Sequence, residues 1–214
     1  LRFFVANKPD ALIVDFFAGS GTTAHAVMRL NHQDNGRRRC ISVTNNEVSE
    51  EEARSMSAKG LRPGDPDWDK WGICQHITMP RLTAAITGKT PDREPIKGDY
   101  KFTDEFPMAD GFAANLDYFT LEFLEPSAVA MGRQFEGILP ILWMMAGARG
   151  PRPEPPENGC GHLHWLIPDA NPFAVLMRET RFREFLAKIA GRDDLTHVFL
   201  VTNSAVVPVF RTVG

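Results

Sequence analysis

The residues best placed to do chemistry lie in the stretch ALIVDFFAGSGTTAHAVMRLN, Ala11–Asn31. An apolar run ends in Asp15, two phenylalanines follow, and Ala18, Gly19, Ser20 and Gly21 form a small-residue loop before Thr22 and Thr23. Gly19 to Ala24 fits the G-x-G-x-x-A pattern of a nucleotide-type turn between a strand and a helix. A phosphate-cradling P-loop is excluded, because no lysine follows the second glycine. Asp15 also argues against a pyrophosphate, since a carboxylate beside the loop repels phosphate and suits an ammonium group. Thr22 and Thr23 open a helix, where free N–H groups and the helix dipole favour a single carboxylate. Glu47, after the next apolar stretch, suits ribose hydroxyls, and Phe16 or Phe17 offers an apolar face.

A ligand combining an amino group, a carboxylate and a ribose is S-adenosylmethionine. Two other readings stay open at this level. One is a nicotinamide- or flavin-dependent oxidoreductase domain built on the same loop. The other is a catalytically inactive interaction module, in which the glycine turn is plain connection chemistry.

The surrounding pattern supplies the elements that must hold these residues. Ala11–Phe16 predicts a buried strand, and Ala24, Val27, Met28 and Leu30 recur at helical spacing. A polar turn, NHQDNGRRR, leads to a second strand at Cys40–Thr44. This order predicts a βαβ unit with parallel strands. Ser49 is a helix cap, Glu51 and Glu52 suit its first turn, and Gly60 its end. A short helix is expected at Asp67–Trp71, and another from near Met79 to Gly88. KTPDREPIKGDYKFTDEFPMADG reads as a long loop, NLDYFTLEFL as a strand, and PSAVAMGRQFEGILPILWMMAGA as a helix kinked or broken near Pro140. HLHWLIP and FAVLMR read as adjacent strands, ETRFREFLAKIAG as an amphipathic helix burying Phe182, Phe185, Leu186 and Ile189, and THVFLVTN as a final strand. Domain boundaries are expected at 1–147 for the nucleotide-type portion, 148–161 for a Pro/Gly-rich linker or loop, and 162–214 for a smaller α/β portion.

Composition bounds the function. The chain has 214 residues, 43% hydrophobic and 24% charged, ordinary for a globular protein. A net charge of −3 gives no global attraction for nucleic acid. Three sparse cysteines, Cys40, Cys74 and Cys160, make neither a disulfide framework nor a zinc site. No apolar run reaches the roughly 20 residues of a membrane span, and LRFFVANKPDALIVDFF lacks a signal-peptidase site. A cytoplasmic protein without membrane contact is expected. His162 and His164 alternate on a strand-like segment near Cys160, but further ligands are not evident, so no metal is assigned. Arg37, Arg38 and Arg39 form the one dense basic run, read as a solvated turn in preference to a phosphate contact. Most of the scattered tryptophans are assigned to packing.

VDFFAGSGTTAHAVMRLN, Val14–Asn31, closely resembles the cofactor-binding motif I of S-adenosylmethionine-dependent DNA methyltransferases, above all the methylation subunits of type III restriction-modification systems and their adenine-methylating relatives. RRRCISVTNNE, GLRPGDPDWDKWGI, PRLTAAITG and DGFAANLDYFTLEFL resemble stretches downstream of that motif, so the likeness runs from about Leu12 to Leu124. The resemblance implies a Rossmann-like methyltransferase βαβ unit followed by a smaller α/β half. It implies a cofactor site of Asp15, Phe17, Ala18, Gly19, Ser20, Gly21, Thr22 and Thr23 at the methionine end, with Glu47 on the ribose. It also implies DNA and a restriction or specificity subunit as partners; a homodimer is a further expectation.

One departure matters for mechanism. This family places an Asp/Asn/Ser-Pro-Pro-aromatic tetrapeptide before motif I, and it grips the target amino group while the ring stacks on the flipped base. The 214 residues contain no such string. Glu154–Glu157 lacks the aromatic, Asn171–Phe173 is one proline short, and Asp65–Trp68 lacks the second proline; all three are read as loop chemistry. No catalytic residue is assigned, and these residues alone are not expected to methylate DNA.

Overall fold

The computed structural model describes residues 1–101, 105–121, 123, 125–130 and 134–202. The chain folds as two compact units, Leu1–Phe119 and Thr120–Gly214. Both are mixed α/β.

In the first unit a short helix α1 (Arg2–Val5) precedes strand β1 (Leu12–Asp15), helix α2 (Thr22–Asp34) and strand β2 (Arg39–Ser42). β1 and β2 are parallel, with Leu12 opposite Arg39 and Val14 opposite Ile41. The parallel β-α-β order read from the sequence is therefore present. The α2 stripe is also as expected, with Ala24, Val27, Met28 and Leu30 buried. Ala24 and Met28 join a core with Leu82, Ala85, Tyr100 and Phe112, against which Cys40 packs.

β1 itself is not a buried strand. α2 lies on only one face of a two-stranded sheet, and parallel sheets normally need cover on both. The opposite face leaves Leu12 50%, Val14 46% and Ile41 50% exposed, with Phe16 and Val43 continuing the apolar row. The opening residues form a helical turn ahead of β1.

Helix α3 (Glu50–Ala58) begins at a Ser49 side-chain cap. The Ser49 hydroxyl accepts from Glu52 N–H at 3.3 Å and lies 2.7 Å from the Glu52 carboxylate. α4 (Pro66–Asp69) is the short helix expected near Asp67–Trp71, and it buries Trp68. A π-helical turn, Cys74–Thr78, runs into α5 (Met79–Thr87), which ends at Gly88 in the left-handed region.

The stretch read as one long loop contains a two-stranded antiparallel ladder, β3 (Asp99–Tyr100) and β4 (Phe106–Pro107). Tyr100, Phe106 and Phe112 cluster there, with centroids 4.8–5.6 Å apart. Aromatic packing orders a segment whose polar composition suggests none. NLDYFTLEFL carries no strand among its described residues: Leu121 and Phe123 are exposed, so nothing rewards an extended ladder there.

The second unit begins with α6 (Pro126–Ala130) and α7 (Phe135–Met145). α7 continues through Pro140, because Phe135, Leu139 and Trp143 bury one face and offset the lost N–H. Strands β5 (Trp165–Leu166), β6 (Phe173–Leu176) and β7 (His197–Leu200) form a sheet in that order, β5–β6 antiparallel and β6–β7 parallel, with α8 (Phe182–Ile189) as the crossover. Phe173 and Val175 pack with α7, and Ala174 and Leu176 with Phe185 of α8. Of the four apolar residues assigned to the α8 face only Phe185 is fully buried; Phe182 and Leu186 stay exposed. His162 lies in a turn and His164 in a bend, outside β5, so they do not alternate on a strand. Cys160 is buried in the α7 core. No helix among the described residues is long and apolar enough to cross a membrane.

Candidate functional site

The glycine loop follows β1 at its carboxyl end, the usual ligand position in open α/β sheets. Gly21 is the N-cap of α2 at φ 78°, and a Cβ there would meet Leu82 and Thr78 of the α5 segment at 3.0 Å. Both the backbone conformation and the close approach require glycine. No side chain caps α2. Asp15 turns its carboxylate back to accept Phe17 N–H at 3.1 Å.

A cleft of about 230 Å³ opens at the ends of β1 and β2, lined by Phe16, Phe17, Gly19, Thr44, Asn45, Glu47 and Ile73. Of the residues assigned from sequence, Phe17, Gly19 and Glu47 line it. Asp15, Ala18, Ser20, Gly21, Thr22 and Thr23 flank it along the loop and the start of α2. Its volume falls below the roughly 300–1,000 Å³ of pockets that hold a whole drug-sized ligand, so it has room for part of one. Apolar Phe16, Phe17 and Ile73 beside the Glu47 carboxylate match a flat ring joined to a hydroxylated sugar.

Several positioning residues were not legible in the sequence. The Thr78 hydroxyl lies 2.5 Å from Gly19 O and 3.0 Å from Ile73 O, tying the loop to the far wall of the cleft. Arg81 donates to Ser20 O at 3.0 Å, Ser20 Oγ at 2.8 Å and Thr22 Oγ1 at 3.0 Å. Asn46, at φ 53°, donates to Asp69 O and accepts from Gln75 N–H, which pins the turn carrying Glu47. Gly72 fits there because a Cβ would stand 2.2 Å from the Asn46 side chain. Sequence spacing gives no signal for contacts made across 23 to 61 residues.

His25, on the first turn of α2, lies 2.9 Å from the Tyr100 hydroxyl. Burial, then the positive charges of Arg81 and Arg29, hold it below its ordinary value of 6.5. The unfolded chain therefore takes up this proton first as pH falls. The stability tied to neutral His25 is complete above pH 6.5 and declines as pH drops toward the lower folded value. We predict that the urea midpoint falls from about pH 7 to about pH 5.5, above the carboxylate range. His25→Gln should flatten that slope; an unchanged slope in the variant would refute the assignment.

This geometry is accompanied by local similarity to DNA methyltransferases of restriction-modification systems. The chain is 64% identical over 39 residues to the type II methyltransferase M.KpnI of Klebsiella pneumoniae, 18% of this chain and 9% of that protein. It is 52% identical over 44 residues to the type III restriction-modification enzyme EcoPI Mod subunit of Escherichia phage P1, 21% and 7% respectively. It is 58% identical over 40 residues to the StyLTI Mod subunit of Salmonella typhimurium, 19% and 6%. The matched stretches thus span less than a tenth of each relative. No protein-family model matches. The similarity supports a methyltransferase-like function and does not favour an oxidoreductase.

Proposed function

We propose that this chain is the S-adenosylmethionine-binding part of a DNA methyltransferase with a Rossmann-like core, acting on an exocyclic amino group of a DNA base, adenine by the resemblance. The observation that carries this reading is the convergence of Phe16, Phe17, Gly19 and Glu47 on one cleft at the carboxyl end of a parallel β-α-β unit. Local similarity to type II and type III methyltransferases supports it. When bound, the cofactor supplies an activated methyl group. Glu47 holds the ribose hydroxyls, Phe16, Phe17 and Ile73 exclude water from the ring, and Asp15 and the Ser20–Thr23 backbone orient the methionine end. A restriction-modification partner subunit and DNA complete the proposed setting.

Asp15→Ala and Glu47→Ala are each expected to weaken S-adenosylhomocysteine binding by about 1.5–3 kcal/mol, the cost of one charge-assisted hydrogen bond. Calorimetry showing wild-type affinity in both variants would remove the site assignment. The exposed Leu12, Val14 and Ile41 face is a second consequence of a sheet with cover on one side. We expect the isolated chain to self-associate through it, and Val14→Thr with Ile41→Thr to reduce the sedimentation-detected association. A wild-type monomer at all concentrations would contradict this.

A further inference from the structure

The glycine loop is flanked by opposite charges drawn from different parts of the chain. Asp15 lies at its entry, held by Phe17 N–H. Arg81 reaches its exit from α5, where Nη1 alone serves three acceptors, Ser20 O, Ser20 Oγ and Thr22 Oγ1. Nη1 carries two hydrogens, so this edge of the guanidinium is saturated. Among the described residues, Nη2 and Nε of Arg81 have no acceptor, and no carboxylate forms an ion pair with it. The neighbouring histidine cannot compensate the charge. Arg81 is only partly buried. A guanidinium fork with one free edge fits a carboxylate with two parallel bonds.

We propose that Arg81 selects ligands bearing a free carboxylate at this site. Its Nη1 fixes the loop, its Nη2–Nε edge receives the carboxylate of the amino-acid end, and Asp15 answers the ammonium group of the same zwitterion. The inference rests on the cofactor reading above and adds the residue that discriminates within it.

The test compares S-adenosylhomocysteine with 5′-methylthioadenosine, which keeps the adenosine and lacks the amino-acid end. Calorimetry on the full 214-residue chain should show Arg81→Gln losing about 10- to 100-fold in affinity for the first and less than about twofold for the second. Arg81→Lys should fall between, because it keeps the charge without the fork. A readout that needs no substitution is the carboxyl methyl ester of S-adenosylhomocysteine, which the wild-type chain should bind about 10-fold or more weakly than the acid. Equal losses for both ligands in Arg81→Gln would show a loop clamp alone and overturn the proposal, as would an ester bound as tightly as the acid. A wild-type chain that binds none of the three ligands would overturn the cofactor reading instead.

Discussion

The purified 214-residue chain should transfer no methyl group to DNA at any cofactor concentration. The reaction needs the donor methyl within about 3–3.5 Å of the attacking nitrogen, with that nitrogen held. The base must also leave the duplex and stack in a pocket. The chain contains no Asp/Asn/Ser-Pro-Pro-aromatic string, and two of its three nearest matches are committed elsewhere. Asn171 is buried, and its amide donates at 2.8 Å to both Arg149 O and Pro151 O. Asp65 holds the N-cap position of α4, and its carboxylate accepts Arg62 N–H at 2.7 Å. A net charge of −3 adds no general attraction for phosphate. Supplying a segment with the tetrapeptide, in cis or as a second chain, should restore transfer, whereas more cofactor should not. Tritium incorporation into DNA at low salt decides it. Robust labelling by the chain alone would return attention to Asn171–Phe173 as an acceptor loop.

Arg38→Ala should destabilise the first unit by about 3 kcal/mol. The Arg38 side chain is fully buried and paired with Asp34 at 2.8 Å. It also donates to Val5 O at 3.1 and 2.9 Å and to Ala6 O at 3.1 Å, which ties the N-terminal helix to the turn before β2. Its pairing with Arg38 holds the Asp34 carboxyl below the usual carboxylate range. Truncation leaves those carbonyls without their donor and opens a void in the turn. Arg37 and Arg39 are not buried, so their alanine variants should change stability little. Equal urea midpoints for all three variants would contradict the assignment.

Arg38 shows where sequence reading stops. A run of three arginines carries no mark of which one turns inward: the solvated-turn reading holds for Arg37, fails for Arg38, and misses that Arg39, though exposed, opens β2. What the sequence made legible was local: the glycine turn, the α2 stripe, the Ser49 cap, the α5 stop at Gly88, and the parallel pairing implied by a strand-helix-strand order. Interactions closed by tertiary approach were not legible. Thr78 and Arg81 meet the loop across about 60 residues, and Asn46 fits against Gly72 through sterics that no periodicity encodes. Nor could the apolar run of β1 reveal that only one of its faces is covered. Phe17, Gly19 and Glu47 could be named because their types announce their chemistry; Thr44, Asn45 and Ile73 line the same cleft with residue types that announce none.

Above all, the loop after β1 and the Glu47 turn should bind an adenosyl amino acid and not a dinucleotide. Calorimetric titration of the wild-type chain with S-adenosylhomocysteine and, separately, with NAD tests this most directly. Saturable heat with one site is expected for S-adenosylhomocysteine, and none for NAD. Saturable binding of NAD, or no binding of S-adenosylhomocysteine by the folded chain, would contradict it.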